Sequence, residues 1–159
     1  FMNLLGYDAM TVGNHEFDDG PEVLRGFVDA VEFPILMSNA DLSGEALLAG
    51  EILKSTVIEV GGEQIGLIGL TPQDTDELAS PGPNVVFTDP VGAVQQEVDM
   101  LTGMGVTKII VLSHSGFVVD QRVAAGTTGV DVIVGGHSNT LLSNVQEGAV
   151  DVYPVMVGN

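Results

Sequence analysis

Short apolar runs with β-type composition alternate along this chain with segments of helical periodicity, and polar or glycine-rich turns separate them. Ala9-Met10-Thr11-Val12 predicts a buried strand. Asp19-Gly20-Pro21 then opens a helix running to Val31, with Val23, Leu24, Phe27, Val28 and Val31 on one face and Pro21 suited to its first position. Phe33-Pro34-Ile35-Leu36-Met37, ending in Ser38-Asn39, predicts a second buried strand, and Asp41 to Glu51 is irregular and acidic. The β-rich runs Ser55 to Val60 and Glu63 to Leu70 flank Gly61-Gly62, which predicts a hairpin. Gly66 and Gly69 within its second strand predict close backbone approach by a neighbour.

Thr71 to Asn84 holds three prolines and a run of acids, the mark of a surface loop. Asp89-Pro90 reads as an N-cap followed by proline at the first helical position, and Val91, Val94, Val98 and Leu101 continue that helix to Gly103-Met104-Gly105. Thr107 to Leu112 is a continuous apolar strand, expected to be buried on both faces, that delivers Ser113-His114-Ser115-Gly116. A short helix over Asp120 to Ala125 precedes another buried strand, Gly129 to Val134, which delivers Gly135-Gly136-His137-Ser138-Asn139. A hairpin-like pair around Leu141 to Val145 and Asp151 to Val157 closes the chain. Strand, turn and helix alternate without repeat, so the fold class is α/β.

Composition narrows the chemistry. With 159 residues, 45% of them hydrophobic, the chain has the size of one domain with a real core. Phe1 is no natural initiator, and we expect a piece of something longer. A formal charge of -18 with only four Lys and Arg excludes a nucleic-acid or anionic-membrane surface, so an anionic substrate would need positive charge from a metal ion. The absence of cysteine excludes disulfides and zinc-thiolate sites, and no apolar stretch reaches the roughly 18 residues of a spanning helix.

The candidate chemistry lies where the apolar runs end. The chain has three histidines, and each of His15, His114 and His137 follows an apolar β-run at a strand's carboxyl end. Strands of one parallel sheet share that edge, where ligands bind, so the three rings are expected to meet. Beside His15 stand Asn14, with a neutral amide oxygen, and Asp18, a carboxylate able to curl back onto the ring. Mixed nitrogen and oxygen donors suit zinc, manganese or iron rather than calcium.

Gly13-Asn14-His15-Glu16 with Asp18, Leu112-Ser113-His114-Ser115-Gly116, and Gly135-Gly136-His137-Ser138-Asn139 resemble the third, fourth and fifth motifs of the calcineurin-like metallophosphoesterases. More narrowly they resemble the 5'-nucleotidase family, with its UDP-sugar hydrolases and 2',3'-cyclic-nucleotide phosphodiesterases. The resemblance implies a layered sheet with helices outside and two divalent metal ions in the intact protein, zinc, manganese or iron, at the strand carboxyl ends. It implies that Asn14, His114 and His137 hold one ion, that Asn14 and His15 meet a nucleotide phosphomonoester, and that His15, its ring held by Asp18, acts on the leaving oxygen. Asn139 stands where the family usually has a second histidine, and would be a weaker ligand of the other ion.

Residues 1–159 are then expected to be part of a catalytic domain, without the family's upstream Asp-X-His and Gly-Asp motifs, its first strands or its carboxyl-terminal substrate domain. By itself such a piece is expected to be inactive or nearly so, and the intact protein periplasmic or extracellular. Two alternatives stay open: a degenerate member kept as a binding or structural module, and a sulfur-ester hydrolase on the same scaffold. Asp8, Glu16 and Asp131 read as structural, Asn39 as a turn cap, and the methionines as core filler.

Overall fold

The Gly61-Gly62 turn folds the chain back on itself because both residues sit at positive φ, 62° and 83°, as a tight hairpin turn requires. It joins β4 (Ser55–Val60) to β5 (Glu63–Leu70) in antiparallel register, with Val60 opposite Glu63. The computed structural model describes residues 1–156. On its other side β5 pairs in parallel with β7 (Ile109–Ser113), and β7 pairs in parallel with β8 (Val132–Val134), giving a four-stranded sheet ordered β4-β5-β7-β8. Two smaller sheets accompany it. In one, β1 (Met10–Thr11) lies parallel to β2 (Ile35–Leu36), and in the other β3 (Ala40–Asp41) lies antiparallel to β6 (Val86–Phe87).

Among the described residues five α-helices complete the fold: α1 (Met2–Leu5), α2 (Pro21–Ala30), α3 (Thr75–Leu78), α4 (Pro90–Gly103) and α5 (Phe117–Gly126). The N-cap read at Asp89 is made, its carboxylate accepting the Gly92 amide at 2.8 Å. Apolar residues divide into two clusters. Val12, Phe17, Leu24 and Ile35 join α2 to the β1–β2 pair, while Ile68, Val94, Val98, Leu101 and Val111 join α4 to the large sheet. The β1–β2 pair docks on β5, where the Leu70 amide donates to Thr11 Oγ1 at 3.0 Å and the Ser38 amide to the Gly69 carbonyl at 2.8 Å. The result is an α/β layering in which helices flank two strand layers.

Several expectations are corrected. The strands form three sheets rather than one, so the segment leading to His15 belongs to a different sheet from those leading to His114 and His137. The strand expected to be buried at Gly129 to Val134 is β8 at the sheet's edge, and Val132 and Val134 are 48% and 55% exposed. Thr71 to Asn84 is more than a surface loop, since it contains α3 and buries Thr71 and Thr75 completely. No strand pair closes the described residues. A single bridge joins Leu142 to Asp151, and Val157 of the expected pair lies outside the described residues. Met37 is core, whereas Met100 and Met104 are exposed.

Candidate metal centre

Beyond β1 the chain must turn at once, and it does so on its own side chains. The Gly13 amide donates to Glu16 Oε2 at 2.7 Å, and the 3-10 turn His15–Phe17 buries Phe17 edge-on against Phe87. This turn buries Asn14 to 3% exposure, and its Oδ1 accepts no hydrogen bond from the described residues. An unpaired buried acceptor of that kind is costly, and it marks a place where a donor or cation belongs. His15 stands outward with its side chain 74% exposed, and its Nδ1 lies 2.8 Å from Asp18 Oδ2. That contact leaves Nε2 free.

The other two rings come from the large sheet. His114 follows β7, His137 follows β8, and their ring centroids lie 5.2 Å apart at an interplanar angle of 61°. Glycines allow this approach. A Cβ on Gly13 would stand 2.8 Å from His114 Cδ2, and one on Gly136 would stand 3.3 Å from its Nδ1, so His114 is held between the backbones at Gly13 and Gly136. Burial first, then the His137 ring, pushes His114 below the ordinary histidine range; Glu16 pulls it up and His15 pushes it down. A neutral imidazole with a free lone pair is the form that binds a metal.

Thus His114 and His137 are neighbours, and the Gly13 backbone that leads into Asn14 packs against His114; among the described residues no three His, Cys, Asp or Glu side chains are grouped so as to hold a metal ion. Asn139 is exposed, at φ 50°, two residues after His137 at φ 70°. Both are left-handed, which non-glycine residues adopt at a cost of roughly 1 to 3 kcal/mol where the surroundings enforce it. Glu16 serves the turn, and Asp131 accepts the Ile109 amide at 2.8 Å, so both have the structural roles read from sequence. Asn39 is no turn cap. It is fully buried and pairs its amide with the backbone of Thr71 at 2.8 and 2.9 Å.

Sequence reasoning missed Asp120, which it read only as a helix start. The Ser113 hydroxyl donates to Asp120 Oδ1 at 2.5 Å, and Oδ2 lies where a Cβ on Gly135 would fall, so this carboxylate joins the ends of β7 and β8. Its only sequence signal is an acid in the first turn of α5, the helix that follows Ser113-His114-Ser115-Gly116. Burial raises the Asp120 carboxyl above its ordinary value of 3.8, and the Ser113 hydrogen bond partly opposes this. With the folded value above the unfolded one, the contribution to stability is complete below 3.8 and is lost as pH rises through the raised folded value. Asp120→Asn keeps an acceptor for Ser113 and removes that titration. Its melting temperature is expected to gain on the native protein's as pH rises through this window, as measured by thermal unfolding from about pH 3 to 7.

No protein-family model matches the chain. The 5'-nucleotidase of Diplobatis ommata is 45% identical over the whole chain, which spans 29% of that protein. The crystal structure of a 5'-nucleotidase precursor from Thermus thermophilus superposes on 97% of the chain with a TM-score of 0.92 at 45% identity, and the chain covers 31% of it. A calcineurin-like phosphoesterase from Bacillus subtilis matches 86% of the chain with a TM-score of 0.74 at 28% identity, 46% of that protein being covered. With this identity along its full length and the same backbone as a solved relative, the chain belongs to the calcineurin-like 5'-nucleotidase family.

Proposed function

We propose that residues 1–159 are part of the catalytic domain of an enzyme that hydrolyses nucleotide phosphomonoesters with the help of divalent metal ions. The observation that carries this reading is the unpaired, buried Oδ1 of Asn14 on the turn that packs against His114, whose partner ring is His137. An amide oxygen and two imidazoles fit a borderline ion such as zinc, manganese or iron(II). These three residues would hold it, and Asn139 offers a further amide oxygen two residues after His137. When bound, such an ion supplies Lewis acidity and charge neutralisation for a phosphate. The chain's charge of -18 would otherwise repel that phosphate.

The remaining roles fall to protein side chains. Asn14 and His15 stand beside the phosphate. His15, with Nδ1 engaged by Asp18, presents Nε2 to the leaving oxygen and delivers a proton to it as water bonds to phosphorus and the ester bond breaks. The Gly13 turn, braced by Glu16 and Phe17, fixes where that proton comes from. The intact protein is placed in the periplasm or outside the cell, as its family suggests.

The test is hydrolysis of AMP by the complete protein before and after a chelator. Activity is expected to fall at least about 100-fold and to return when zinc or manganese is added back. Turnover that a chelator leaves unchanged overturns the metal-dependent reading.

A further inference from the structure

The candidate centre is assembled from two sheets, and strand pairing within either one cannot fix their mutual position. Asn14 follows the two-residue strand β1, while His114 and His137 follow strands of the large sheet. Between the layers runs a buried polar seam. Thr11 accepts from Leu70, the Ser38 hydroxyl donates to the Gly69 carbonyl at 2.6 Å, and beyond them at the site end stand Asn39, Thr71 and Ser115. Asn39 and Thr71 are completely buried and Ser115 is 7% exposed.

Thr71 is the member of this seam that touches both halves of the centre. Its hydroxyl donates to the Val12 carbonyl at 2.7 Å. The same peptide unit is held at its other end, where the Gly13 amide donates to Glu16 at 2.7 Å, so the link leading into Asn14 is gripped from both sides. In the opposite direction, the Thr71 carbonyl accepts from the Ser115 hydroxyl at 3.0 Å, one residue beyond His114. The His114 amide itself donates to the Leu70 carbonyl at 2.8 Å. Asn39 closes a two-bond ring with the Thr71 amide and carbonyl, which fixes the backbone from which the Thr71 hydroxyl reaches Val12.

We propose that Thr71 is a positioning residue that sets the distance between Asn14 and His114 by hydrogen-bonding the Val12 carbonyl two residues before the one and the Ser115 hydroxyl one residue after the other. This rests on the metal-dependent reading above and adds to it a residue that touches neither substrate nor ion. The hydroxyl is the operative group. Valine has the same branched shape but cannot donate to Val12, so the turn is free to move against the large sheet. Serine keeps the donor and loses a methyl. Groups that orient first ligands typically cost 10- to 100-fold in affinity or activity when lost, and a misplacement of about 1 Å is of the same order.

The experiment compares Thr71→Val and Thr71→Ser in the complete protein. The readouts are kcat and KM for AMP, calorimetric affinity for manganese alone after chelation, and thermal unfolding. Thr71→Val is expected to lower kcat about 10- to 100-fold and manganese affinity about tenfold, with KM changed less than about threefold. Thr71→Ser is expected to restore both to within about threefold, although its melting temperature also falls with the lost methyl. Equal impairment of the two variants, or a Thr71→Val protein with native kcat and affinity, overturns the proposal. His114→Ala separates the two levels. If it is inactive while Thr71→Val is native, the positioning role alone fails; if it retains full hydrolysis, the metal-dependent reading fails with it.

Discussion

Replacing His15 with alanine in the complete protein is expected to lower kcat for AMP about 10²- to 10³-fold while the melting temperature stays where it was. The second half follows from exposure. The ring is largely in water, and its one hydrogen-bond partner among the described residues is Asp18, itself half-exposed, so little folding energy is at stake. The first half follows from geometry, because only Nε2 is left to act once Nδ1 faces Asp18. If its task is to protonate the leaving oxygen, the loss must depend on how much that oxygen needs a proton. With p-nitrophenyl phosphate, whose leaving group departs unaided, the loss is expected to shrink to less than about tenfold. Equal losses for both substrates would show that the ring binds phosphate and transfers no proton.

Gly69→Ala is expected to be the most damaging small substitution in the chain, at about 3 kcal/mol or more. A Cβ at Gly69 would stand 2.5 Å from the carbonyl carbon, carbonyl oxygen and Cβ of Leu36. Leu36 cannot retreat. It is fully buried, its carbonyl accepts the Val12 amide at 3.0 Å, and it bridges to Leu53. One methyl group must therefore separate the two strand layers. Gly26, inside α2, is the contrast, because a Cβ there meets nothing within 4 Å. Gly26→Ala is expected to stabilise by up to about 1 kcal/mol through helix propensity. Denaturant midpoints of the two variants check both signs.

The same residues show what can be read from sequence and what cannot. The hairpin, α2 and α4 were legible because each declares itself locally, through a two-glycine turn, a 3.6-residue apolar stripe and the Asp89-Pro90 cap. The pairing of His114 with His137 was legible because each stands just beyond an apolar run. Gly69 announced a close approach, although nothing in its neighbourhood named Leu36. The grouping of strands into sheets was not legible. β1, β2, β3 and β6 are two residues long, too short to show a periodicity, and the β1–β2 pair is fixed by docking on β5. Thr71 was hidden by composition, since its proline-rich, acidic segment reads as surface while its first residue is tied to Val12, Asn39 and Ser115. Asp120 was hidden because an acid in a first helical turn needs no other explanation.

The left-handed backbone at Asn139 restricts which amino acids that position accepts. At a φ of 50°, side chains branched at Cβ collide with their own backbone, whereas Asn, Asp, His and Gly are tolerated. All of these except glycine bear an oxygen or nitrogen donor on a short stem. A library randomised at this codon is therefore expected to return folded clones already enriched in coordinating residues, before any selection for turnover is applied.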